Sequence, residues 1–448
     1  MFLSDCSHGV ESADKQSQLR TSSQSPTETP TGLRQGGILA AGSVAASALT
    51  TLCSLLATIL ILRVLPRAEA GRFALLVELL YSIGLLGSLG QSVLQARLYY
   101  REGAANFDWV RDARSTVWTT LPWVVLFVIA IAKPYELTWF EALVLGSGAG
   151  LFILTSCFSS VLAQQRHYAW SSALVRLGNG LLIIPAVVIL LVPSFARLHF
   201  ILLCLLIFIG AVTILGALLL RRWLPRGTLR ITFRQRLTGL VFLATLLSVV
   251  VTQRGLLVVA GALLTPENVA ALAAVVSILR VFDLVGESAG RVFSTEMARH
   301  SKAIGPGLMV APWLLAAMLA AVVLMGLPTV VHQFYGGRYD AALPFLPWLV
   351  AAAGLRFVEV VPRGFLAYVA PPSLLNRFAA VQCITAVVGI ALLVLWTRSH
   401  GMYGLVCAAA SIAAARLAIS YLFTGLLRVP VKNVVVEPLE IRSEETPV

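Results

Sequence analysis

Eleven charged side chains lie inside long apolar stretches of this sequence. The acids are Glu78, Asp283, Glu287 and Glu359. The bases are Arg176, Arg254, Arg280, Arg291, Arg356, Arg363 and Arg416. A guanidinium offers paired donors that match a phosphate or a carboxylate. A carboxylate in an apolar setting can take up and release a proton or a cation. Those residue types suit anion binding with ion exchange. Catalysis is poorly served: the sequence holds no P-loop, no H-E-x-x-H, no G-x-S-x-G and no paired metal ligands. No cofactor and no enzyme activity is expected. The glycine runs GLLGSLG (84–90), GSGAG (146–150) and GESAG (286–290) read as close helix packing rather than phosphate loops. His332, near the end of a span, reads as an interfacial residue rather than a ligand.

The spacing of these charges follows a helix. At roughly 100° per residue, Arg280, Asp283, Glu287 and Arg291 fall within an arc of roughly 80°. Arg356, Glu359 and Arg363 fall within roughly 60°. Two helices therefore each present one charged stripe, expected to face a common interior. The pairs Arg280 with Asp283, Glu287 with Arg291 and Glu359 with Arg363 have ion-pair spacing along one helix. One reading is that they neutralise one another and pin helices together. The other starts from the count: seven arginines exceed four acids, and Arg176, Arg254 and Arg416 have no acid at helical spacing in their own spans. That surplus predicts a net basic cavity and an anionic, phosphorylated substrate. Arg176 and Arg291 lie nearest to span ends, where long side chains reach the headgroups.

The elements that must hold these residues are membrane helices. Of 448 residues, 58% are hydrophobic and 12% charged. Soluble domains carry about twice that charge. Apolar runs of helical length recur along the chain, without the alternation a barrel strand would show. Twelve spans are expected, at about 36–62, 73–95, 115–132, 140–162, 173–193, 199–220, 239–264, 267–292, 309–332, 343–369, 377–397 and 404–427. Pro185, Pro347 and Pro362 fall inside spans, where each frees a carbonyl and permits a kink.

Residues 1–35 are polar, lack the apolar core of a signal peptide, and are expected to form a disordered cytoplasmic tail. A six-helix lobe at 36–220, a basic linker at 221–238, a second six-helix lobe at 239–427 and a tail at 428–448 complete the division. The net charge of +13 comes from 34 Lys and Arg against 21 acids. It follows the positive-inside rule better than it suggests nucleic acid. With the N-terminus inside, inner loops carry fourteen Lys and Arg and outer loops seven. Both termini are thus expected in the cytoplasm. The six cysteines are scattered and suggest neither disulfide nor zinc framework. An internal echo supports the six-plus-six division. LPRAEAGRFALLVELL (65–80) and LTPENVAALAAVVSIL (264–279) both place a proline, then an acid, at the entry to a helix.

Four stretches in register resemble one family. LRVLPRAEAGRFALL (62–76) resembles an R-x-L-x-x-x-x-x-G-x-F signature after the first helix. QRGLLVVAGALLTPENVAALAAVVSILRVFD (253–283) resembles a helix 7–8 region. FYGGRYDAALPFLPWL (334–349) resembles a Y-G-x-x-Y-x-x-A-x-P segment, and SHGMYGLVCAAA (399–410) a G-x-x-G-x-x-x-A entry to the last helix. The family is that of the Wzx-type O-antigen and polysaccharide flippases, within the larger MOP group that holds the MATE exporters and the lipid II flippase. The resemblance covers roughly residues 40–430.

It implies an all-α polytopic inner-membrane protein, with two six-helix lobes around a central cavity that opens alternately to each side. It implies a transporter that moves an undecaprenyl-pyrophosphate-linked oligosaccharide from the inner to the outer leaflet for surface polysaccharide synthesis. Membrane lipids, a polysaccharide polymerase and glycosyltransferases would be its partners. Substrate contacts would fall to Arg254, Arg280, Arg356 and Arg416, with Arg176 and Arg363 in support. Ion coupling would fall to Asp283, Glu287, Glu359 and Glu78. One position departs from the pattern: the residue after Arg254 is Gly255, where the family often carries an Asp. That puts a coupling role for the seventh span in doubt. The rivals are a MATE-like cation or drug exporter, which should carry an acidic cavity, and a polysaccharide polymerase, which should carry a long outer loop.

Overall fold

The structure is a computed structural model that describes residues 31–102, 106–165, 167–223, 227–299 and 306–426. Residues 1–30 and 427–448 of the expected tails lie outside the described residues, as does the side chain of Arg291. The first helix, α1, spans Thr31–Val64 and so begins before residue 36. It is followed by α2 (Arg67–Gly87), α3 (Gln91–Glu102), α4 (Trp109–Ala132), α5 (Trp139–Gln164), α6 (Tyr168–Gly180), α7 (Ile183–Leu191) and α8 (Leu198–Trp223). The second set is α9 (Phe233–Gln253), α10 (Gly255–Leu263), α11 (Pro266–Arg299), α12 (Pro306–Tyr335), α13 (Leu346–Val369) and α14 (Pro372–Leu426).

Chains that cross hydrocarbon must satisfy every backbone N–H and C=O internally, and a helix does so within one segment. Among the described residues, ten helical stretches are long and apolar enough to cross a bilayer. One of them, Ser373–Leu426, is two helices joined at a kink. Gly401 leaves the helical region there at φ 59°, a conformation that disfavours a side chain. The chain reverses: a Cβ on Gly404 would lie 2.0 Å from the Trp396 carbonyl oxygen, and Gly389 packs on Ile412. The bent pair Gly239–Gln253 and Gly255–Leu263, at 63° to each other, supplies one further crossing. With the hairpin counted twice and the bent pair once, the twelve expected crossings are accounted for.

Of the three span prolines, Pro185 lies four residues after Leu181, where α6 and α7 part, and Pro362 lies inside α13, which continues through it. Pro347 does not kink a span. It occupies the first turn of α13, after a 3-10 turn at Asp340–Phe345, where its missing N–H costs nothing. The seventh span, expected to be continuous, breaks at Arg254.

Helices α2, α4, α5, α6 and α8 pack on one another, and α9, α11, α13 and α14 form a second group, giving two lobes. Helix α2 of the first lobe lies against α11 of the second. These two helices carry the sequence echo. Pro66 immediately precedes α2 with Glu69 in its first turn, and Pro266 opens α11 with Glu267 in its first turn. They approach so closely that a Cβ on Gly71 would lie 1.9 Å from the Pro266 carbonyl oxygen. Outward faces of the spans are apolar, with Trp118, Ile129, Ile214 and Met325 all strongly exposed.

The lobes also touch at both ends. At one end the Arg338 guanidinium donates to the carbonyls of Arg63 (2.9 Å) and Leu65 (2.8 Å), and the Tyr339 hydroxyl donates to Leu62 (2.8 Å). At the other, Arg97 on α3 donates to the Ala370 carbonyl (3.1 Å) at the end of α13, and Gln91 donates to the Arg236 carbonyl (3.0 Å). The described part of the basic stretch 221–236 is held by backbone pairing and a helix cap. Leu229 pairs with Phe107, and Thr232 caps α9 in a reciprocal box with Gln235. Buried Asp112 fixes the same segment, accepting from the Ile231 N–H (3.2 Å), Arg236 (3.4 Å) and the Tyr99 hydroxyl (3.0 Å). Burial raises the Tyr99 phenol far above its ordinary value, so it stays a donor. His332 sits at the Arg338 end with its Nδ1 2.8 Å from Asp340.

Candidate functional site between the lobes

A cavity of about 140 Å³ lies between the lobes. The first lobe lines it with Thr51 and Ser54 of α1, Glu78 and Tyr81 of α2, and Arg176 and Asn179 of α6. The second lobe contributes Gln253, Arg254 at the helix break, and Arg280, Asp283 and Glu287 of α11. A smaller, mostly apolar cavity adjoins it, lined by Thr58, Phe73, Val77, Leu257, Ala273 and Ser277. Ser54, Glu78, Asn179 and Arg280 line both, so the Glu78–Arg280 pair stands on the partition between them together with Ser54 and Asn179.

Most of the charges pair across helices. Glu359 with Arg363, 4.0 Å apart along α13, is the expected pair that stays on its own helix, and Glu287 with Arg291 lies outside the described side chains. Glu78 holds two arginines, one per oxygen: Oε2 lies 2.6 Å from Arg254 Nη1, and Oε1 accepts from Arg280 Nη2. Both partners come from the opposite lobe. Arg176 crosses in the other sense, with Nη2 3.0 Å from Glu287 Oε2, while Gln253 donates to Glu287 Oε1 at 3.2 Å. Asp283 is held by Arg356 of α13, Nε to Oδ1 at 3.3 Å. The expected pairing of Arg280 with Asp283 along α11 therefore gives way to partners on α2 and α13. The reason is reach: neighbouring helices face one another directly, whereas pairs on one helix lie side by side on its surface.

The stripe on α13 divides. Arg356 reaches Asp283 at the cavity, and Glu359 turns into the second lobe. There its Oε1 accepts from Arg416 Nη2 (2.8 Å) and Ser420 (3.2 Å), with Arg363 4.0 Å from Oε2. Arg416 is 1% exposed and also donates to the Ser248 carbonyl (2.9 Å) and to Thr252. Arg416, Arg363 and Glu359 do not line the cavity, although the sequence groups them with the residues that do.

The expected basic cavity is not what the described side chains give. Apart from Arg291, which is not among them, the lining holds Arg176, Arg254 and Arg280 against Glu78, Asp283 and Glu287, a formal charge of zero. The surplus arginines stand behind it, at Arg356 and beside Glu359. Two lining arginines nonetheless keep unused donors: among the described residues, Arg176 Nη1 and Arg254 Nε are buried without an acceptor. The Arg254 guanidinium also lies 4.9 Å over the Tyr81 ring.

Sequence reasoning missed Tyr81, Asn179 and Gln253. Each was detectable as a polar residue one to three positions from a charge inside a span. It also missed the interlobe contacts of Arg97 and Arg338, which belong to the inner and outer loop charges of the sequence.

No family model matches this sequence, and no curated protein does. Solved structures are similar to it in fold. One is a MATE-family multidrug resistance transporter of the MOP superfamily in an inward-facing conformation, with a TM-score of 0.58 and 13% identity, covering 86% of this chain and 98% of that one. An outward-facing MATE-family transporter gives 0.58 and 13%, covering 87% and 94%. A MATE protein in complex with MaD3S gives 0.57 and 15%, covering 87% and 94%. The chain shares the two-lobed helical fold of these structures. Equal likeness to inward- and outward-facing forms ties that fold to neither state.

Proposed function

We propose that this protein is a membrane transporter whose cargo carries a phosphate or pyrophosphate bound between the lobes. Its best-supported cargo is an undecaprenyl-pyrophosphate-linked oligosaccharide, moved from the inner to the outer leaflet for surface polysaccharide. The observation that carries this reading is the set of arginines at the interlobe cavity, two of them with buried, unused donors. A guanidinium N–H without an acceptor is costly in a low-dielectric site, and a pyrophosphate oxygen would satisfy it. The fold supports transport, and the four sequence motifs support the saccharide-lipid class. Glu78, Asp283 and Glu287 would take a proton or cation as the arginines turn to the cargo. The inner membrane, with both termini in the cytoplasm, is the setting that the loop charges favour.

Translocation of a lipid-linked pyrophosphate saccharide in proteoliposomes tests the proposal. Arg176→Ala, Arg254→Ala and Arg280→Ala are each expected to abolish it while protein yield is retained. Undiminished translocation by all three would overturn it. A second reading rests on the neutral lining, whose three carboxylates could serve a cation. Proton-coupled exchange of a lipophilic cation, with no response to pyrophosphate lipids, would favour that reading.

A further inference from the structure

We infer that Glu78 is a tethered stand-in for the substrate anion, occupying the Arg254–Arg280 clamp until cargo displaces it. This rests on the anionic-cargo reading above and names the residue with which the cargo competes.

The geometry makes the case in three steps. First, the clamp belongs to one lobe and its occupant to the other. Arg254 stands at the α9–α10 break and Arg280 on α11, while Glu78 comes from α2. Second, the binding mode is that of a phosphate. Each carboxylate oxygen meets a different guanidinium, as two non-bridging phosphate oxygens would. One acid against two arginines leaves one positive charge locally, so a dianionic group would balance the clamp better than Glu78 does. Third, the occupant can be displaced. Arg254 and Arg280 keep 21% and 30% of their side chains exposed, and Arg280 and Glu78 divide the charged cavity from the apolar one. Cargo that takes both guanidinium groups frees Glu78 and removes the contact between α2 and the clamp. Binding is thereby linked to release of one lobe from the other. In the empty protein the same contact holds the lobes together without cargo.

The test is binding of inorganic pyrophosphate to the full-length, detergent-purified protein by calorimetry. Wild type must expel Glu78 to bind, so its apparent affinity is reduced by the fraction of clamps left open. Glu78→Gln is expected to tighten binding by at least about tenfold. Adding Arg254→Gln to Glu78→Gln is expected to cancel the gain. Should Glu78→Gln not be monodisperse, Glu78→Asp replaces it, with an intermediate gain expected from a carboxylate drawn back by one methylene. Wild-type binding that depends on Arg254 and Arg280 but does not tighten in Glu78→Gln would overturn the inference and leave the anionic-cargo reading standing. A gain that survives in the double variant would overturn it too, because the clamp would not be its source. No binding to any monodisperse variant would overturn both.

Discussion

Two carboxylates in this molecule each hold two arginines, and they do so to different ends. Glu78 and Glu359 are equally buried, at 2% exposure each. Glu78 spans the lobes, and its arginines are partly open to the cavity. Glu359 stays within one lobe, tying α13 to the second arm of α14, and its main partner Arg416 is sealed among Ser248, Thr252 and Ser420. Composition and stoichiometry are the same. What differs is whether water or cargo can replace a partner. A pair that can be replaced can switch, and one that cannot acts as a rivet.

Breaking the two clusters separates them. Arg416→Met strands Glu359 as a buried charge without its main partner. It should cost about 3–5 kcal/mol, seen as a large fall in melting temperature or loss of monodispersity in detergent. Adding Glu359→Gln should recover much of that loss. Glu78→Gln should cost only about 1–2 kcal/mol by the same assay, because cavity water can solvate the released arginines. If Glu78→Gln proves as damaging as Arg416→Met, the two clusters are alike and the distinction fails. Arg363→Gln sharpens the picture from below. At 4.0 Å from Glu359 it should change stability by no more than about 0.5 kcal/mol, so a large effect would place it within the rivet.

Much of this fold was legible in the sequence, because span length is set by bilayer thickness and written as runs of apolar residues. The charged positions were legible for the same reason, as exceptions in those runs. Their partners were not. Helical spacing gives neighbours on one helix, while Glu78 with Arg280 and Arg416 with Glu359 depend on which helices meet and at what height. That register is set by tertiary packing. It also misled on charge: the arginine surplus was counted correctly, yet Arg356, Arg363 and Arg416 lie off the cavity together with Glu359, and the described lining is neutral. The break at Arg254 carried no proline to announce it. The Gly401 reversal sat between two spans already separated in the sequence reading, and only its tightness was new.

The contact of Gly71 with the Pro266 carbonyl sets a lever. With the backbones already touching, any rocking of the lobes that keeps this contact turns about it. Glu78 lies seven residues along α2, about 10 Å away, and the far end of that helix about 24 Å away. A tilt of about 10° would then carry Glu78 by about 2 Å, enough to break its bonds to both arginines, and the far end by about 4 Å. On the proposed transport cycle, the short arm would sense the cargo and the long arm would open the path.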